Sequence, residues 1–184
     1  MVVKKLIEAL RSWHVVIEVE QHPLNPMSGK YLPKRYLCDI GLLSLNRSTV
    51  VPRISLLHTV DGQLRSSLGG LFENAVVLNL LEGQGAHKKI HTWKKDAQSS
   101  VEVDFVVESV DERGTIPIEC KAAKKLSRKH CSGVIEYLMR THQKKGVVVS
   151  CAPYQELKIQ GVTIVNVPVY LATRANILKY CSKQ

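Results

Sequence analysis

Two neighbouring segments that alternate between apolar and polar residues constrain the fold of this chain more than any other feature. Residues 101–107 read Val-Glu-Val-Asp-Phe-Val-Val and residues 115–121 read Thr-Ile-Pro-Ile-Glu-Cys-Lys, with a polar stretch ending in Gly114 between them. Alternation at a period of two is typical of β-strands, and a short polar stretch with glycine is typical of a turn. The sequence therefore predicts an antiparallel β-hairpin.

The alternation also predicts which side chains share a face of this hairpin. One face of the first strand carries Val101, Val103, Phe105 and Val107, and one face of the second carries Ile116, Ile118 and Cys120. A turn centred at Asp111-Glu112 places Asp104 opposite Glu119, whereas a longer turn places Asp104 opposite Lys121. Both registers put these three charged residues on the same face, provided that no β-bulge intervenes.

Two carboxylates and an ammonium on one sheet face indicate a particular chemistry. Neighbouring carboxylates repel each other unless a cation lies between them, and hard oxygen ligands suit Mg²⁺ or Mn²⁺. Such an ion binds a phosphate oxygen and activates water, and a nearby lysine stabilises developing charge. The spacing alone leaves open the alternative of a solvated strand face with ordinary charges.

The charge of the chain favours a polyanionic partner, most simply nucleic acid. The 184 residues include 26 lysines and arginines but 16 aspartates and glutamates, for a formal net charge of +10. Directly after Lys121 comes a basic run that contains Lys124, Lys125, Arg128 and Lys129. This run is either the solvated start of a helix or a surface that binds phosphates, and we expect it to contact nucleic acid, with DNA the first candidate.

The remaining sequence predicts helices and strands in an α/β order. An amphipathic helix is predicted from residue 68, with Glu73 at the margin of its apolar face, where a carboxylate needs water, a partner or a metal. Residues 2–37 predict a helix and two strands, which resemble the end of a winged helix, with a packing appendage as the alternative. We therefore expect a winged-helix-like remnant over residues 1–33 and the main domain over residues 34–184.

Cysteine usage and hydropathy bear on where the protein works. The five cysteines are scattered and form no CxxC pair, which favours reduced thiols over a disulfide framework or a zinc site. The first ten residues carry charges where a signal peptide needs an apolar run, and no stretch is long enough to span a membrane. We expect a cytoplasmic protein without a membrane partner.

The order of these motifs resembles the PD-(D/E)xK superfamily of restriction-endonuclease-like nucleases. More narrowly, the chain resembles the C-terminal domain of unknown function that follows an AAA+ ATPase module in many archaeal and bacterial proteins. The matching segments, in chain order, are residues 34–43, 70–77, 92–94, 102–106, 117–121, 146–150 and 167–171. The resemblance implies a restriction-endonuclease-like core, which is a mixed sheet flanked by helices.

The resemblance also implies a function and a set of catalytic residues. In that superfamily the matching positions form a Mg²⁺ site for phosphodiester hydrolysis, which here implies Glu73, Asp104, Glu119 and Lys121. Asp104 and Glu119 would bind the metal, Glu73 would help directly or through water, and Lys121 would assist the attacking water. The chain has no GxxxxGK[ST] motif, so we expect no nucleotide-binding site and no ATP binding.

Two hypotheses about function follow from the sequence. The first is a metal-dependent nuclease that hydrolyses phosphodiester bonds of DNA or RNA, separated from its ATPase module as a fragment or as a short natural version. A homodimer would suit cleavage of both strands of a duplex. The alternative is a non-catalytic module that binds nucleic acid or docks onto an ATPase module or another partner.

Overall fold

The computed structural model describes residues 2–22, 24, 32–46, 62–82, 90–96, 98–108 and 114–182. In chain order the helices and strands are α1 (Val2–Ser12), β1 (Val16–Gln21), β2 (Lys34–Leu37), α2 (Ile40–Asn46), α3 (Gly62–Leu81), β3 (Ile90–Lys94), β4 (Glu102–Glu108), β5 (Thr115–Lys121), α4 (Ser132–Thr141), β6 (Lys145–Ser150), β7 (Gln155–Ile159), β8 (Val162–Pro168) and α5 (Arg174–Ser182). Short 3-10 turns at Arg128–Cys131 and Val169–Leu171 precede α4 and α5.

Within these residues, eight strands form one mixed sheet in the order β2-β1-β3-β4-β5-β6-β8-β7. The pairs β1–β3, β5–β6 and β6–β8 are parallel, and the other neighbouring pairs are antiparallel. Helix α4 joins the parallel strands β5 and β6 as a crossover. The predicted α/β class, with a mixed sheet flanked by helices, is confirmed.

Helices cover both faces of the central strands. On β6, Val147 and Val149 belong to the core beneath α3 and α5, whereas Val148 points to the opposite face and packs beneath α4. A strand buried on both sides carries apolar residues in succession, as predicted for residues 146–151. Among the described helices, none combines the length and the apolar character that crossing a lipid bilayer requires.

The β4–β5 hairpin forms in the shorter of the two predicted registers. Phe105 lies opposite Ile118, and the pairing continues to Glu108 opposite Thr115. The apolar residues of β5 lie together in the core beneath α3 and α5, namely Ile116, Ile118 and Cys120. The predicted face of β5 is therefore confirmed, whereas the predicted turn at residues 109–113 lies outside the described residues.

The predicted face of β4 is wrong, because a β-bulge interrupts the alternation. Pairing with β3 shifts between His91 and Trp93, so that β4 contributes one residue more than β3 over this stretch. Val103 therefore packs with Trp93 and Val106 on one face of the sheet. Phe105 and Val107 belong to the core beneath α3 and α5 on the opposite face. A bulge bends its strand and redirects side chains, and here it lies at Asp104 and Phe105.

The N-terminal segment consists of α1 followed by an antiparallel pair of strands. Val16 of β1 lies opposite Leu37 of β2, and Glu20 of β1 lies beside His91 of β3. Strand β1 thereby links β2 to the rest of the sheet. The winged-helix interpretation and the boundary between residues 33 and 34 stay predictions.

Candidate functional site

The site begins where the pairing of β4 and β5 ends. Beyond Phe105 and Ile118, the backbone N–H of Cys120 donates a hydrogen bond to Oδ2 of Asp104 at 2.8 Å. The carboxylate of Asp104 thus takes the place of a backbone acceptor for a buried amide. Glu119 directly precedes Cys120, so this hydrogen bond brings the Asp104 and Glu119 segments of the two strands together.

Both carboxylates line a cavity of about 1010 Å³ at the carboxyl end of β5. The predicted catalytic residues all contribute to its wall: Glu73 from α3, Asp104 from β4, and Glu119 and Lys121 from β5. Of the predicted basic residues, the cavity is lined by Lys124, Lys125 and Lys129. Arg128 belongs to the same basic segment but lies outside the cavity wall. Ligands of open α/β sheets bind at this end of the strands.

Lys34, which the sequence did not indicate, lies among the acidic residues. Its Nζ is 3.1 Å from Oε1 of Glu73, 3.2 Å from Oδ1 of Asp104 and 3.7 Å from Oε1 of Glu102. The hydroxyl of Tyr36, two residues further along β2, donates to the same Oε1 of Glu73 at 2.5 Å. Strand β2 therefore supplies two donors to the site.

Asn74 explains how β2 reaches this position. Its side chain accepts a hydrogen bond from the backbone N–H of Leu37 at 2.9 Å and donates one to the Leu37 carbonyl at 2.8 Å. Asn74 is buried and directly follows Glu73 on α3. A buried amide needs such partners, so this asparagine beside the apolar face of α3 was a sequence signal for docking of another segment.

One oxygen of the Glu119 carboxylate is paired with a lysine, and the other oxygen is not. Its Oε1 pairs with Nζ of Lys121 at 2.5 Å, whereas its Oε2 is buried and has no hydrogen-bond partner among the described residues. Burial and the nearby Asp104 raise the pKa of Glu119 to about 8, against the opposing effect of Lys121. An ionised Glu119 therefore lacks positive charge on the Oε2 side.

Burial and neighbouring charges also shift the pKa values of Asp104 and Lys34. Burial, followed by repulsion from Glu73, raises the pKa of Asp104, although Lys34 and the Cys120 amide oppose this. Burial alone would lower the pKa of Lys34, but the carboxylates of Asp104, Glu73 and Glu102 outweigh it and raise that pKa. Lys34 is therefore a firmly charged ammonium in the site.

The donor set suits a hard divalent cation. Asp104 and Glu119 offer carboxylate oxygens, and the buried Oε2 of Glu119 is a donor atom without a partner among the described residues. In the described ranges, no group of three histidine, cysteine, aspartate or glutamate side chains is placed to hold a metal. Mg²⁺ is commonly held by one or two carboxylates, with waters and substrate phosphates completing its shell, so two carboxylates fit this ion.

Gly133 lets α4 approach the site closely. A Cβ built at this glycine would lie 2.0 Å from the backbone carbonyl oxygen of Glu102 and 3.6 Å from Oε2 of Glu119. The N-terminal turn of α4 consequently packs against β4 beside the carboxylates. Partial positive charge at a helix N-terminus favours anions, which adds to the basic residues of the cavity.

A family model described as "Domain of unknown function (DUF4143)" matches residues 68–170, which include Glu73, Asp104, Glu119 and Lys121. Lys34 precedes the matched residues. No curated protein matches the chain.

Proposed function

The chain belongs to the DUF4143 family of domains of unknown function, and we propose that it is a metal-dependent phosphodiesterase that cuts nucleic acid. One observation carries this proposal. Asp104 and Glu119 line the same cavity, where the charge of Asp104 helps to raise the pKa of Glu119, and Oε2 of Glu119 is buried without a hydrogen-bond donor from the described residues. Buried carboxylates without enough positive charge favour the binding of a cation.

Each acidic or basic residue of the site has a role in this proposal. Asp104 and Glu119 would hold Mg²⁺ or Mn²⁺, which when bound polarises a phosphate oxygen and lowers the pKa of a bound water. Lys121 lies beside Glu119 at the cavity, where its ammonium orients the attacking water and stabilises negative charge on the phosphate. Glu73 supports the site from α3 through its contact with Lys34.

The basic side of the cavity supports nucleic acid as the substrate. Lys124, Lys125 and Lys129 line the same cavity as the carboxylates, and the whole chain has a formal net charge of +10. Phosphate contacts by lysines position a nucleic-acid backbone without reading its sequence. In the proposed complex these lysines bind phosphates beside the scissile one.

A second candidate function is favoured by Lys34. Its ammonium already balances the negative charge of Glu73 and Asp104. In a nuclease-like fold that has lost its metal ion, a lysine at this position would replace the charge of that ion. Such a domain would bind nucleic acid through the basic cavity, or dock onto an ATPase module, without cleaving a substrate. Binding of nucleic acid without metal-dependent cleavage would favour this candidate.

A cleavage assay tests the proposed function. Purified protein is incubated with single-stranded DNA, duplex DNA or RNA in the presence of Mg²⁺ or Mn²⁺. We expect cleavage that falls about 100-fold or more in Asp104→Asn and in Glu119→Gln, because each removes a metal ligand. Glu8→Gln removes an exposed carboxylate on α1 and should cleave like the wild type. Absence of cleavage, or cleavage that both site variants retain, would refute the proposal.

A further inference from the structure

Lys34 forms the closest cation contacts of Glu73 and Asp104 among the described residues. Its Nζ lies 3.1 Å from Oε1 of Glu73 and 3.2 Å from Oδ1 of Asp104, both within hydrogen-bond distance. Glu102 adds a third carboxylate at 3.7 Å. The ammonium therefore lies where a cation shared by Glu73 and Asp104 would lie.

The contacts of the carboxylate oxygens divide the site into two cation positions. Oδ1 of Asp104 points to Lys34 and Glu73, while Oδ2 of Asp104 accepts the N–H of Cys120 on the β5 side. Glu119 contributes Oε2, which has no hydrogen-bond partner among the described residues. Because a carboxylate oxygen has about two acceptor directions, Asp104 can serve both positions at once. The first position contains the Lys34 ammonium; at the second, Lys121 pairs with Oε1 of Glu119, and Oε2 remains without a hydrogen-bond partner among the described residues.

Glu73 contacts the cation of the first position, which is Lys34. Its Oε1 accepts hydrogen bonds from both Nζ of Lys34 and the hydroxyl of Tyr36, which together use the acceptor directions of that oxygen. Asn74, the next residue of α3, clamps the backbone of Leu37 and so fixes β2 against the helix. Lys34 is thus held in place from both sides, by its own strand and by its carboxylate partners.

We propose that Lys34 is a built-in cation that replaces a second metal ion, so that the chain binds one divalent ion through Asp104 and Glu119. Glu73 is then a positioning residue that acts on Lys34 and is not a ligand of the ion. This inference rests on the metal site of the proposed function and goes beyond it in the number of ions and the role of Glu73. The chemical class of the ligand is a hard divalent cation that accepts oxygen donors.

A titration of the whole chain with Mn²⁺ by calorimetry tests the inference through stoichiometry, without any substrate. We expect one ion per chain for the wild type and for Lys34→Arg, which keeps a positive charge at the first position. Lys34→Met removes the ammonium that contacts Glu73, Asp104 and Glu102. A Mn²⁺ ion can then bind in its place, so we expect two ions per chain. Lys158→Met, which removes an exposed lysine on β7 at the far edge of the sheet, should bind one ion.

Glu73→Gln provides a second test that does not depend on the folding of the Lys34→Met variant. Because the glutamine still accepts from Lys34 and Tyr36, we expect one Mn²⁺ per chain with an affinity within about threefold of the wild type. Asp104→Asn and Glu119→Gln should weaken binding by about 100-fold or more, as expected for direct ligands.

Several results would overturn the inference. These are two ions in the wild type, one ion in a folded Lys34→Met variant, a loss in Glu73→Gln as large as in Glu119→Gln, or no Mn²⁺ binding to the wild type. The cleavage assay separates this inference from the proposed function. One ion per chain with no cleavage would leave the inference standing and refute the nuclease, whereas two ions with metal-dependent cleavage would refute the inference alone.

Discussion

The side chain of Asp104 accepts the backbone N–H of Cys120 at 2.8 Å, at the point where β4 and β5 stop pairing. One carboxylate thereby satisfies a buried amide of β5 and at the same time faces the cavity that Glu119 lines. Asp104 therefore ends the pairing of β4 with β5 and is also a ligand in the proposed metal site.

Substitutions of Asp104 should separate these two roles. Asp104→Asn keeps an acceptor for the Cys120 amide and removes a carboxylate whose pKa is raised by burial and by Glu73, so we expect stability at or above that of the wild type. Asp104→Ala leaves the amide without its acceptor and should be about 1–3 kcal/mol less stable than Asp104→Asn. Urea unfolding near pH 8 with a chelator measures the difference. Equal stability of the two variants would show that the hydrogen bond contributes nothing.

Gly133 and Gly69 form a matched pair for testing the close approach of α4. A Cβ at Gly133 would meet the backbone of Glu102, so Gly133→Ala should destabilise the fold by about 1–3 kcal/mol or more through overpacking. A Cβ at Gly69 in α3 meets nothing within 4 Å, so Gly69→Ala should stabilise the helix by about 0.5–1 kcal/mol. Thermal unfolding compares them. A Gly133→Ala variant as stable as the wild type would contradict the packing of α4 on β4.

Glu119 should make stability depend on pH in a defined direction. Its pKa is raised from 4.5 to about 8 in the folded state by burial and by Asp104, so between these values the folded state binds more protons than the unfolded state. The contribution of Glu119 to stability is thus fully present below pH 4.5 and decreases as the pH rises through 8.

Glu119→Gln, which does not titrate, provides the comparison for this pH effect. Relative to this variant, the wild type should lose more than ~1.4 kcal/mol of unfolding free energy between about pH 5 and pH 8, since a shift of one pKa unit corresponds to that amount. Chemical unfolding in metal-free buffer at both pH values gives the difference. Glu8→Gln, on the exposed face of α1, should show no such trend. If the difference in unfolding free energy between the wild type and Glu119→Gln were the same at both pH values, the pKa of Glu119 in the folded state would not be raised.

The basic cavity residues should determine how nucleic-acid binding depends on salt. Replacing Lys124, Lys125 and Lys129 with glutamine should weaken binding at low salt and reduce the slope of log K against log salt by about 2–3, since each phosphate contact contributes about 0.9. Replacing Lys4, Lys5 and Lys158 instead changes the net charge equally but touches no part of the cavity wall. Fluorescence anisotropy over a salt series distinguishes the two triple variants. If both lost affinity equally, net charge rather than the cavity would account for binding.

The hairpin shows which parts of the site the sequence could predict. In β5 the alternation of apolar and charged residues holds, so Ile118 and Cys120 enter the core while Glu119 and Lys121 reach the cavity. The shorter register was also among the predicted ones, because turn residues restrict the length of a hairpin loop. Periodicity is informative here because β5 is regularly paired on both sides.

Two features lay beyond the sequence. The bulge in β4 places Val103 and Val106 on one side of the sheet. The sequence around Phe105 contains no glycine, which is the residue that often indicates a bulge. Lys34 is 39 residues from Glu73 and 70 from Asp104, so no local spacing links it to either carboxylate. Its place is set by the long-range docking of β2 onto α3 through Asn74.

The proposed one-ion site is tested most directly by a crystal structure of the wild-type chain grown with Mn²⁺, with an anomalous difference map calculated at the manganese absorption edge. We expect a single peak within coordination distance of oxygens from both Asp104 and Glu119, with Nζ of Lys34 still between Glu73 and Asp104. A peak that contacts Glu73 in place of Lys34, or the absence of any peak between Asp104 and Glu119, would contradict it.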